Sequence, residues 1–221
     1  MHKEITNPMA DIFKYLAISI LFMFIGFVFG QAFIPISVVQ VANLILPFLI
    51  IGLLIMAILS KKSIIPRSFS MNYVYLFTFI DGILLYPLLS FYLQSLGTSI
   101  VINALLGTCI LFGILAFISY RKKAGHYLGI GSILFAGLIS LLLLCIINIF
   151  IGSQTLNILY SVLGILIFSG YILYDISLIK YDIESGNIIS KNDLSIHVLN
   201  LYLDFVNILL DLLNLIYEFK D

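Results

Sequence analysis

The sequence predicts an all-α membrane protein: a bundle of seven transmembrane helices with the C-terminal helix at its centre. Three observations predict it. First, 62% of the 221 residues are hydrophobic and only 10% are charged, against about 25% charged in an ordinary soluble domain. With a mean hydropathy of +1.18, a soluble chain of this size could not hide its apolar surface, because it still exposes a large shell. Second, seven apolar runs are each long enough for a ~30 Å hydrocarbon core, which takes about 20 helical residues to cross. Third, the last run carries a polar stripe, which an interior position accounts for.

The runs lie near 15–34, 38–59, 74–94, 98–119, 127–151, 156–179 and 196–217, and together make one polytopic domain. The first is longer than the ~7–15 residues of a signal-peptide core and shows no small-x-small cleavage site, so it reads as a true span. Its Gly26 and Gly30 form a G-x-x-x-G pair suited to close helix packing. Pro47 and Pro87 fall inside the second and third spans, where proline kinks a helix. Cys109 and Cys145 sit within apolar runs and read as buried thiols.

Charge then orients the chain. Lys3 and Lys14 precede the first span; Lys61, Lys62 and Arg67 follow the second. Arg121, Lys122 and Lys123 follow the fourth, and Lys180 and Lys191 the sixth. The connections around Pro35–Ser37, Leu96–Gly97 and Gly152–Thr155 carry no charge. All basic residues except Lys220 thus fall on one side, which places the N-terminus in the cytoplasm. A seventh full crossing leaves the C-terminus outside, whereas a re-entrant last segment would return it. The stretch from Tyr181 to Leu194 reads as a solvated cytoplasmic connection. A formal net charge of zero gives no footprint for nucleic acid.

In the seventh run His197, Asn200, Asp204, Asn207, Asp211, Asn214 and Glu218 recur at spacings of three and four, the period of one helix face. Carboxylates at bilayer depth turn toward a bundle interior or a water-filled cavity. This helix is therefore expected at the centre, with Asn200, Asn207 and Asp211 lining a pore. Asp81 and Asp175 are intramembrane acids on two other helices. At ~1.5 Å per residue, Asp81, Asp175 and Asp204 fall about 10, 8 and 12 Å from the cytoplasmic face, with Asp211 about 10 Å deeper than Asp204. Asp81 joins the pore-lining set as an accessory acid. For each acid the bland alternative is a packing group bonded to a neighbouring Ser or Asn.

Two carboxylates brought together in a low-dielectric site cannot both ionise cheaply, so the pair shares a proton and titrates as a unit. Fully ionised, the same oxygens make a hard site suited to Ca²⁺. A cation at the end of the second span (Lys61, Lys62 or Arg67) could compete for them. His2 and His126 are terminal or loop residues, and His197 at the helix mouth reads as interfacial rather than a ligand. Phosphate-cradling glycine loops and Ser-His nucleophile pairs are absent, so no enzyme and no cofactor are expected.

Tyr171-Ile172-Leu173-Tyr174-Asp175 and Leu201-Tyr202-Leu203-Asp204-Phe205-Val206-Asn207 resemble motifs of the Bax inhibitor-1 (transmembrane Bax inhibitor motif) family, in particular its bacterial members. Gly30-Gln31 and Phe79-Ile80-Asp81-Gly82-Ile83 with Pro87 support the match. The resemblance implies a seven-helix bundle around the last helix, in a bacterial plasma membrane, acting as a pH-sensitive Ca²⁺ leak. By motif it assigns the pH-sensing aspartate pair, also the metal-contacting oxygens, to Asp175 and Asp204. It further implies a basic latch at the end of the second helix: Lys61, or Arg67 as the weaker choice. The expected partners are calcium ions, protons and the lipid bilayer, and no feature identifies a protein partner. A cation/proton antiporter, an intramembrane aspartyl protease and a cell-death-regulating interaction protein are the competing expectations. The protease lacks its Gly-x-Gly-Asp and Pro-Ala-Leu elements here.

Overall fold

The structure, a computed structural model, describes residues 7–35, 37–38, 42–62, 64–65 and 68–220. Among them seven long helices follow in order: α1 (Pro8–Phe33), α2 (Ala42–Lys61), α3 (Met71–Leu96), α4 (Thr98–Arg121), α5 (Gly131–Ile151), α6 (Gln154–Glu184) and α7 (Ser195–Lys220). Short 3₁₀ turns at Leu128–Ile130 and Lys191–Leu194 precede α5 and α7, and no strand occurs among the described residues. Six of the helices are long and apolar enough to cross a bilayer, and α2 adds a shorter apolar stretch over Ile51–Lys61. Large apolar side chains such as Phe150, Ile133, Leu166 and Val28 point outward and are well exposed. An outer surface of this kind belongs in lipid, and the chain is an all-helical membrane protein.

Local chemistry sets the helix ends. Asn7 accepts a bond from the Ala10 N–H at 3.2 Å, and Pro8 opens α1 at a position that needs no N–H donor. Ser70 and Ser153 cap α3 and α6 in the same way. Gly97, at φ 89°, is the whole connection between α3 and α4; an L side chain there would be strained.

α1 and α3 pack along most of their length. Gly26 of α1 meets the Phe79 carbonyl and Gly82 of α3 meets the Met23 carbonyl, each so closely that a Cβ would overlap it. The G-x-x-x-G pair is thus one half of this crossing, and Gly82 completes it from the other helix. Stacking of Phe22 on Tyr75, centroids 5.1 Å apart, flanks the contact.

α7 occupies the centre, packed against α1, α2, α3, α4 and α6. Every residue from Leu194 to Asp211 is buried. Buried residues make up 89% of its apolar stretch, against 22% in those of α4 and α5. At one end of the bundle Lys191 lies over the Tyr15 ring, and Lys180 donates to the carbonyls of Tyr120 and Lys122. At the other end Lys220 donates to the Ser95 carbonyl and Gln154 to that of Glu218. α7 therefore runs the full length of the bundle and does not fold back.

Candidate functional site

Three side chains from three helices meet beside the centre of the bundle. Asp175 of α6 and Asp204 of α7 are 1% and 0% exposed, and Lys61, the last residue of α2, is 4% exposed. The Lys61 ammonium donates to Asp175 Oδ2 at 2.5 Å and to Asp204 Oδ2 at 3.1 Å. It also lies 3.1 Å from Asp204 Oδ1 and 4.4 Å above the ring of Tyr171. Tyr171 stands one turn before Asp175 and so shares its face. Two carboxylates and an aromatic face thereby enclose one cation.

The Lys61 ammonium bridges the two carboxyl groups. Oδ1 of Asp175 has no hydrogen-bond partner among the described residues. Buried polar atoms are normally paired, so this oxygen leaves the centre one donor short. With both acids ionised the trio carries one net negative charge. A single proton on either acid brings it to zero.

A cavity of about 310 Å³ leads to this centre from the basic end of the bundle. Its lining includes Asn187, Asp193, Asp182, His197, Lys61 and Asp175. The connection from Tyr181 to Leu194 is exposed along much of its length, as expected, and also forms part of the cavity wall. It is held in shape by Asp193, whose Oδ2 accepts from the Ser190 N–H at 2.7 Å and the Ile189 N–H at 3.1 Å. His197 is 6% exposed, and its Nε2 lies 3.4 Å from Asp182 Oδ2. It is therefore buried beside Asp182, on the part of α6 that continues to Glu184.

The remaining expected residues are placed as follows. Asn200 lines the cavity and accepts a bond from the Ser60 hydroxyl. Asp81 accepts from the Tyr202 hydroxyl at 2.6 Å, between α3 and α7. Asn207 donates to the Leu203 carbonyl of its own helix at 2.7 Å. Asp211 packs on Gly164 of α6 and is hydrogen-bonded by Tyr160. Asp81, Asn207 and Asp211 are buried in packed contacts and are not among the residues lining this cavity. Their positions differ from an open pore lining because α7 is surrounded by other helices at their level. Arg67 lies outside the described residues. Sequence reasoning missed Tyr171, which the i, i+4 spacing to Asp175 could have revealed, and Ser60, for which no sequence signal exists.

Fold and site together define a helical-bundle membrane protein with a buried carboxylate–ammonium centre. The chain belongs to the Bax inhibitor family: residues 6–221 match the family model described as inhibitor of apoptosis-promoting Bax1. It is 35% identical over 130 residues to a probable Bax inhibitor 1 of the fish Paralichthys olivaceus, covering 59% of this chain and 53% of the relative. It is 29% identical over 180 residues to an uncharacterized membrane protein of Vibrio cholerae, covering 80% and 78% of the two chains. A Helicobacter pylori protein is 30% identical over 148 residues, covering 67% and 61%. The chain thus spans about half the length of the fish relative. The family expected from the motifs around Asp175 and Asp204 is the family matched.

Proposed function

We propose that the protein is a passive calcium leak whose opening is set by protonation of the Asp175–Asp204 pair, with no catalytic step. The observation that carries this reading is the Lys61 ammonium lodged between the two acids at the inner end of a cavity. On this reading the basic end faces the cytoplasm of a bacterial cell, as the positive-inside rule requires. Lys61 occupies the oxygens that a Ca²⁺ ion would need, so α2 acts as a latch. The groups facing the pair are Lys61 from α2 and Tyr171 and Tyr174 from α6, with Asp182 and His197 further out.

The sign follows from charge. While the acids share one proton, one negative charge remains to hold Lys61 and the latch is shut. A second proton removes that charge, frees the ammonium and lets α2 withdraw. Calcium flux therefore rises as pH falls through the second protonation. A bias of a few kcal/mol suffices to move such a two-state element. An ammonium already filling the space between the acids speaks against the aspartyl-protease alternative, which needs water there.

Calcium flux into liposomes tests the reading. Asp175→Asn and Asp204→Asn should each abolish the pH response over the range in which the wild type responds, and an unchanged response defeats it. Flux that proceeds only against an opposing proton gradient would indicate an exchanger instead. Asn200→Ala, which frees the Ser60 hydroxyl beside the latch, is expected to leave the response in place and shift its midpoint.

A further inference from the structure

The α6–α7 seam is polar along its whole length, and not only at the Lys61 centre. From one end to the other it joins His197 with Asp182, Asp204 with Asp175, Asp211 with Tyr160, Asn214 with Ser161 and Glu218 with Asn157. Asp211 differs from Asp175 and Asp204 in that no basic side chain pairs with it among the described residues. It is 2% exposed, and Oδ2 has no hydrogen-bond partner among the described residues. Oδ2 lies against Gly164 of α6, where a Cβ would overlap it. The Tyr160 hydroxyl serves the carboxyl group from one side. The other titratable groups around it are Tyr92 of α3 and Cys145 of α5. α1, α2 and α4 bring it none among the described residues, and no basic side chain pairs with it there.

A carboxylate taken from water into an apolar interior is strongly disfavoured unless a cation or several donors replace its hydration. Asp204 meets that requirement with Lys61; Asp211 has one phenol. The close seat on Gly164 closes the α6 side of Oδ2 to a metal ion with its ligand shell, whereas a proton needs no such space.

The geometry points to Asp211 as a second proton site of the bundle, a carboxyl group held neutral about 10 Å along α7 from the Lys61 centre. Its proton is separate from the one shared by Asp175 and Asp204. Gly164 is what makes the site possible, because any side chain there would push the carboxyl away. If calcium travels the seam, a consequence that rests on the leak reading, it meets a neutral acid beyond the latch. Asp211 must then give up its proton for the ion to pass.

Infrared spectroscopy of protein labelled with ¹³C-aspartate, reconstituted in lipid at neutral pH, tests the site directly. The wild type should show the carbonyl band of a protonated carboxyl group. Asp211→Asn should remove one such band and leave that of the proton shared by Asp175 and Asp204, since the amide keeps the size of the acid and so preserves the fold. The Asp211 band should persist in Asp81→Asn and in the Asp175→Asn/Asp204→Asn double variant. Tyr160→Phe should move it to higher frequency by removing the donor to the carbonyl oxygen. A carboxyl spectrum identical in the wild type and Asp211→Asn overturns the proposal, as does an Asp211 band that vanishes with Asp175 and Asp204. In liposomes, Asp211→Asn should lower calcium flux at least tenfold while keeping the pH midpoint. Unchanged flux with the band lost removes Asp211 from the ion route but leaves the proton site. A wild type that carries no calcium at all overturns the leak reading and not the infrared result.

Discussion

Replacing Lys61 with methionine is expected to cost about 3–5 kcal/mol of stability, the penalty for leaving buried charge without its partner. Methionine keeps the length and apolar stem of the side chain, so the loss reports the ammonium and not the packing. The wild-type ammonium contacts both acids, at 2.5 and 3.1 Å, and the Tyr171 ring. Thermal unfolding in detergent measures the change. The triple variant Lys61→Met/Asp175→Asn/Asp204→Asn should return close to wild-type stability, because it removes the stranded charges together with their partner. Had Lys61 been a surface cation near the acids by coincidence, the single variant would cost no more than the ~0–1 kcal/mol of an exposed pair. On the leak reading the same variant loses its latch and passes calcium without regard to pH.

Gly82→Val is expected to cost about 3 kcal/mol or more, at or beyond the upper end of ordinary overpacking. Its Cβ would overlap the backbone carbonyl of Met23, and backbone in a helix cannot step aside as a side-chain tip can. Gly26→Val should behave alike, against the Phe79 carbonyl. Gly113→Val is the control, since a Cβ there meets nothing within 4 Å. Folded yield from membranes and unfolding temperature read the difference. Equal losses at Gly82 and Gly113 would show that helix propensity alone, and not the α1–α3 crossing, makes glycine necessary.

The burial of α7 was legible because a helix wrapped by other helices can carry polar groups in lipid only by turning them toward partners. The spacing of Asp204, Asn207 and Asp211 records that constraint directly. What those groups bond was not legible. Asn207 turns back to its own backbone and Asp81 finds Tyr202. His197 finds Asp182 under the extended end of α6. The partners of Asp81 and His197 are set by the rotation of one helix against another, and a rotation of that kind leaves no periodic trace in either stretch of sequence.

By itself, then, the sequence determined the class of the protein, the number of long apolar helices, the end at which its positive charge gathers and the helix that must lie inside. These follow from composition and period, which act through the lipid solvent one helix at a time. Only the tertiary structure decided that Lys61 is the cation on the acids, that α7 runs the length of the bundle, and that Asp211 rests on Gly164 with one oxygen unpaired. Those facts depend on how helices far apart in the chain interlock, and close packing within a few ångströms is a property of the assembled bundle.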